Sequence, residues 1–151
     1  MEKSERLGKR ASLGTQDAQT PVLALIFDTD ILIELFQESE PAALLFDSVP
    51  PERRNICAVS YLELVRGCRN GKTLKQIQQF VRNQFAEVVG VTREMSTLAV
   101  RIMDEYALSH RPGAMDVLIA AAALERREPL ATGNFKHYRF ITGLEIKQFR
   151  P

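Results

Sequence analysis

The sequence predicts an α/β domain: a three-layer sandwich whose central, largely parallel sheet of four to five strands is flanked by helices. Three observations predict it. Short apolar runs rich in strand formers recur along the chain, and each leads into a stretch whose apolar residues fall at helical spacing. The first run, VLALIF at 22–27, is apolar throughout instead of alternating, as a strand covered on both faces is. Breakers such as Pro50-Pro51, Gly67 and Pro112-Gly113 punctuate the changes of period.

After the first strand, Ile31, Leu32, Leu35 and Phe36 recur at helical spacing and give the first helix. PAALLFDSV, 41–49, reads as a second short helix, ended by Pro50 and Pro51. NICAVS, 55–60, is the next strand and runs into SYLELVRG, with Gly67 as its stop. In KTLKQIQQFVRNQF, Leu74, Ile77, Phe80, Val81 and Phe85 mark one helix face, and AEVVGVT, 86–92, is the third strand. REMSTLAVRIMDEYALSH, 93–110, carries Met95, Leu98, Ile102, Met103 and Tyr106 on another face. The helix AMDVLIAAAALERRE then offers small side chains for close packing against the sheet. PLAT, 129–132, is the fourth strand, and LEIKQF, 144–149, alternates like an edge strand.

The totals agree with one domain. The 151 residues suffice for a single core, and 45% hydrophobic with 26% charged residues is a globular composition. Residues 1–20 lack hydrophobic periodicity and a signal-peptide apolar core, so they read as a flexible extension ahead of a domain at 21–151. No apolar run approaches the roughly 20 residues that span a bilayer, so no membrane association is expected. Cys57 and Cys68 have no CxxC spacing, which leaves neither a zinc site nor a redox pair and suits a cytoplasmic protein. A net charge of +1 gives no gross basic signature, but acids gathered in one pocket would leave a positive rim around it.

That pocket is foreshadowed by topology. In open parallel sheets ligands bind beyond the carboxyl ends of the strands. Asp28 and Asp30 lie just past the first strand, Ser60 and Glu63 just past the second, and Thr132, Gly133 and Asn134 just past the fourth. Each acid alone has a local explanation. Asp28 suits a helix N-cap with Asp30 in the first turn, Ser60-Tyr-Leu-Glu63 has the form of a capping box, and Asp116 opens the alanine-rich helix. Together, several carboxylates at one sheet edge repel unless a cation neutralises them, and hard oxygen donors without a Cys or His cluster point to Mg²⁺ or Mn²⁺.

The segments FDTDILIEL, AVSYLELVRG, MDVLIAAAAL and LATGNFKHY, in that order, resemble the PIN-domain nucleases, and most closely the VapC-type toxins of toxin–antitoxin pairs. The resemblance covers residues 22 to about 149. It implies a PIN-like fold and a metal-dependent endoribonuclease held inactive by a cognate antitoxin. It also implies that Asp28, Glu63 and Asp116 bind the metal and are catalytic, with Asp30 or Asn134 assisting. Thr29 matches the hydroxyl residue after the first acid, and Asp30 stands where Asn is more usual. Where many members carry a fourth aspartate, TGNFKHY offers Asn134 and His137.

Thr29, Ser60, Thr132, Arg66 and Lys136 are the expected substrate-positioning residues, and Arg53, Arg54, Arg69, Lys72 and Arg139 are further candidates for phosphate contacts. The expected partners are an RNA substrate, the antitoxin, whose C-terminal segment can place an arginine in the acidic site, and a second copy in a homodimer. Leu35, Phe36, Leu44 and Phe46 could serve either protein contact, or the core. Two alternatives accompany this reading. A haloacid-dehalogenase-like phosphatase shares the Asp-x-Asp of IFDTD but usually continues with Gly or another small residue, whereas here Ile31 and Leu32 enter the helix directly. A non-catalytic PIN-like scaffold would bind RNA or a partner without cutting.

Overall fold

Strand β1, Leu25–Phe27, organises the domain because both its faces are covered. A computed structural model describes residues 23–150; the extension expected over 1–20 lies outside the described residues. After β1 come α1 (Thr29–Phe36), α2 (Glu40–Asp47), a single 3₁₀ turn at Pro51–Arg53, β2 (Arg54–Cys57), α3 (Ala58–Arg66) and α4 (Gly71–Gln84). The chain continues through β3 (Glu87–Val89), α5 (Arg93–Tyr106), α6 (Ala114–Arg126), β4 (Leu130–Thr132), the one-turn α7 (Phe135–Tyr138) and β5 (Ile146–Gln148). No helix among the described residues is long and apolar enough to cross a membrane.

The five strands are all parallel, in the order β3-β2-β1-β4-β5. The chain runs outward from β1 through β2 to β3, then returns to β4 on the other side of β1. The point of reversal therefore lies between β1 and β4, and at such a switch point the strand-to-helix turns diverge and leave a crevice.

Alternation along β1 divides the core. Ile26 joins one layer with Cys57, Val89, Met95, Ile102, Tyr138 and the α6 alanines 120–123. Leu25 and Phe27 join the other, with Ile56, Phe46, Ile77, Val81 and Phe85. Phe27 is fully buried and meets the rings of Phe46 and Phe85 edge-on, at centroid separations of 5.3 and 6.0 Å. The small side chains of α6 let it lie close to the sheet, as expected from sequence, and Ile119, Ala120 and Ala123 face inward.

Several expectations are corrected. The second strand ends at Cys57, not residue 60, because its neighbours stop there: Phe27 pairs with Ile56 and Val89 with Cys57, and no ladder partner remains beyond. Helix α3 consequently starts at Ala58, which puts Ser60 inside the helix and dissolves the capping box. Helix α5 ends at Tyr106, whose carbonyl accepts the N–H groups of His110 and Arg111 as the chain turns, with Arg111 at φ 48°. Among the proposed protein-contact residues, Phe46 is core, whereas Leu44 is 66% exposed.

Arg54, a candidate for phosphate contacts, is instead buried. Its guanidinium lies 3.8 Å over the Phe46 ring and donates to the carbonyl of Val49 (2.7 Å) and the side chain of Gln84 (2.9 Å). It and Arg53 stand at the start of β2, the end of the sheet remote from the crevice.

Phe27→Ala removes the ring at the junction of both walls of the second core layer. It should lower unfolding free energy by about 3–5 kcal/mol in denaturant titrations, a large part of a typical domain's stability. A loss below about 1 kcal/mol would show that this aromatic cluster does not hold the layer together.

Candidate active site

Three strand-to-helix junctions and one helix start meet at the switch point. They enclose an open cleft of about 530 Å³, lined by Asp28, Thr29, Asp30, Ile33, Glu63, Arg66, Gly67, Asp116, Asn134 and His137. Residues 28 and 134 are far apart in the chain; parallel pairing of β1 with β4 brings their ends together.

Asp28 is the N-cap of α1: its Oδ1 accepts the Thr29 N–H at 2.8 Å. Its other oxygen accepts the hydroxyl of Thr132 at 2.8 Å, from the end of β4. Capping and site formation are thus two halves of one carboxylate. Asp30 accepts the Ile31 N–H through Oδ1 and the Gly133 N–H through Oδ2, at 2.8 and 2.7 Å. Gly133 is needed for that approach, since a Cβ there would stand 2.7 Å from the same oxygen.

Glu63, released from the capping role, turns toward α1 and accepts the hydroxyl of Thr29. Asp116, in the first turn of α6, accepts the Tyr138 hydroxyl at 3.2 Å and pairs with Nδ1 of His137 at 3.0 Å. Arg66 reaches the rim from the last turn of α3. Asn134 lines the cleft and its backbone N–H bonds the Thr132 hydroxyl.

The PIN domain profile matches residues 25–141, which span all of these junctions. The chain belongs to the PIN domain family.

Membership removes the phosphatase alternative. Solved structures similar to this PIN domain include a toxin–antitoxin complex from Klebsiella pneumoniae, with 24% identity, coverage of 80% of this chain and 94% of that one, and a TM-score of 0.67. FitAcB from Neisseria gonorrhoeae matches at 22% identity over 84% and 97% of the two chains, with a TM-score of 0.67. VapBC-1 from nontypeable Haemophilus influenzae matches at 20% over 82% and 96%, with a TM-score of 0.69. These likenesses are of fold. No curated protein matches the sequence.

Within the PIN domain, two of the residues expected to position substrate lie out of its reach. Thr132 and Ser60 are fully buried. Thr132 instead orients Asp28, and the Ser60 hydroxyl, inside α3, makes no hydrogen bond. Lys136 is exposed on α7 but does not line the cleft. Thr29 and Arg66 do line it.

Tyr138 is the residue sequence reasoning missed. It is fully buried in the first core layer, and its hydroxyl reaches toward Asp28 as well as Asp116. Burial and the two adjacent carboxylates hold that phenol firmly protonated, so it serves as a donor. The available signal was the step of four from Asn134 to Tyr138, which a one-turn helix after β4 would bring back toward the crevice.

Asp28 is 4% exposed, and burial, reinforced by the nearby charge of Asp30, raises its pKa from the ordinary 3.8 to about 6 despite the hydrogen bonds it accepts. Burial also raises that of Asp30. Among the described residues no three His, Cys, Asp or Glu side chains close around a common point as they stand. As they stand, these side chains do not form an all-protein metal cage.

A raised acid pKa means the folded state holds its proton more tightly than the unfolded one. The resulting stability is complete below about pH 4 and lost as pH rises through about 6. In metal-free protein, Asp28→Asn should therefore be more stable than wild type at pH 7.5 by up to about 3 kcal/mol. The two should converge below pH 4, as followed by thermal unfolding. A variant less stable than wild type at pH 7.5 would contradict the buried-charge assignment.

Proposed function

We propose that this PIN domain is a Mg²⁺- or Mn²⁺-dependent endoribonuclease and the toxin of a toxin–antitoxin pair. The observation that carries this reading is that Asp28, Glu63 and Asp116, from three elements distant in sequence, line one cleft at the switch point. An exposed, open cleft of oxygen donors suits a polymer substrate better than an enclosed small molecule.

Asp28, Glu63 and Asp116 would hold the cation, which when bound supplies charge neutralisation at a phosphodiester and a more acidic water. The chain's own part is to keep these carboxylates fixed. Thr132 and the Thr29 N–H orient Asp28, the Thr29 hydroxyl orients Glu63, and Tyr138 and His137 orient Asp116. Asp30 assists at one remove, locking α1 to the loop after β4. The Asn134 amide and the Arg66 guanidinium are the cleft groups able to orient a phosphate or a water, with Lys136 nearby on α7.

The partner reading rests on two features. The solved relatives include toxin–antitoxin complexes. A second groove, lined by Ile33, Phe36, Leu64, Cys68 and Ile77, shares Ile33, Glu63 and Gly67 with the acidic cleft, so an amphipathic antitoxin segment lying there would deliver a cation to the carboxylates. Ile33 and Phe36 are 45% and 42% exposed, as such a contact needs. We also propose that the protein forms a homodimer and is cytoplasmic.

Asp28→Asn and Asp116→Asn should each lower Mn²⁺-dependent cleavage of single-stranded RNA by roughly two orders of magnitude or more, while the fold persists by circular dichroism. Cleavage by either variant within a few-fold of wild type would refute the assignment and bring the non-catalytic scaffold forward.

A further inference from the structure

A rigid aromatic stack stands at the turn that leads into α6, the helix whose first turn carries Asp116. The His110 ring lies parallel to that of Phe140, with centroids 4.2 Å apart and planes inclined by 16°. Tyr106 buttresses both edge-on, at 5.0 Å from Phe140 and 5.7 Å from His110, and its hydroxyl is hydrogen-bonded with Thr142. Among the described residues no further ring covers the outer face of His110, and its side chain is exposed.

The stack is fixed from both sides. The backbone N–H of His110 bonds to the Tyr106 carbonyl at 2.9 Å, and Ser109 meets its Nδ1 at 2.8 Å. Phe140 is anchored two residues after Tyr138, whose hydroxyl lies in the site. Position follows from connectivity. Gly113 stands against Asp116, where an added Cβ would lie 3.2 Å from Oδ2. His110 is three residues before Gly113, so its Cα is within about 11 Å of Gly113, the reach of a fully extended chain. Exposed Arg111 and Arg139 adjoin the two stacked rings in sequence and form no ion pair among the described residues.

An open π-face beside unpaired cations, held within a few residues of the reacting site, has the chemistry that single-stranded nucleic acid needs: a surface for a base and charges for its phosphates. We propose that His110, stacked on Phe140, is the platform for one unpaired base of the RNA, with Arg111 and Arg139 on the adjoining phosphates. The proposal rests on the endoribonuclease reading and specifies its substrate as unpaired or looped RNA. It requires the face of the ring and not its charge, so Phe or Trp should replace His110.

The test uses RNA hairpins with 2-aminopurine placed at successive loop positions. Binding to full-length Asp28→Asn protein is followed by fluorescence, and cleavage by wild type gives kcat and KM. One loop position should be quenched on binding. His110→Ala should abolish that quenching and raise KM about tenfold or more with little change in kcat, and His110→Trp should restore both. Unchanged KM and quenching in His110→Ala, while wild type still cleaves, would overturn the platform and leave the nuclease intact. Quenching without cleavage by wild type would support the platform and refute the nuclease. Loss of a dimer by His110→Ala in sedimentation, with RNA binding per chain unchanged, would overturn the proposal by making the stack a contact between copies.

Discussion

The structure depends on a buried carboxylate. Asp28 ends the central strand, begins the first helix and is almost entirely removed from water, with Asp30 close enough to raise its pKa further. An ionised carboxylate in such a place is costly unless donors surround it. The Thr29 N–H, the Thr132 hydroxyl and the Tyr138 hydroxyl come from three different elements, and each is aimed at this residue. The strand order is what allows this, because β4 returns beside β1 and brings Thr132 and Tyr138 to the end of β1. Among the described residues no Lys or Arg forms an ion pair with Asp28, Asp30, Glu63 or Asp116, and under the proposed function a cation from outside answers that charge. That is the physical link between the fold and a metal-dependent reading.

A second consequence concerns rigidity. Asp116 and Asp28 share the Tyr138 hydroxyl, and Thr29 joins Glu63 to the start of α1. The carboxylates are therefore coupled through hydroxyls and not by direct contact. These hydrogen bonds hold the oxygens in place before any ligand arrives. Pre-organisation of this kind is where a protein contributes to phosphodiester hydrolysis. The Tyr106–Phe140–His110 stack ties the turn before α6 to the turn after α7.

Much of this was legible in the sequence. Of VLALIF, expected as a doubly buried strand over 22–27, only Leu25–Phe27 is one among the described residues, with Leu23 56% exposed ahead of it, and the parallel sheet then dictated that Asp28, Glu63 and Asn134 share one edge. What was not legible depended on partners. Ala58, Val59 and Ser60 look like a strand continued, and only the shortness of β1 and β3 ends it at Cys57. That same shift undid the capping box and changed Ser60 from an edge residue into a buried helical one. Arg54 read as a surface cation, yet the Phe46 ring and the Val49 carbonyl take it into the core. Tyr138 was not singled out, because its role rests on a single helical turn too brief for periodicity to reveal.

The central claim is that the carboxylate cleft is a cation site, and calorimetric titration of metal-free protein with Mn²⁺ and Mg²⁺, beside the Asp28→Asn variant, tests it most directly. The account predicts saturable binding to wild type that the folded variant loses or weakens at least about tenfold, the scale on which removing a ligand-shell group acts. Equal binding by both proteins, or none by either, would contradict it and leave Asp28 as a helix cap buried for structural reasons alone.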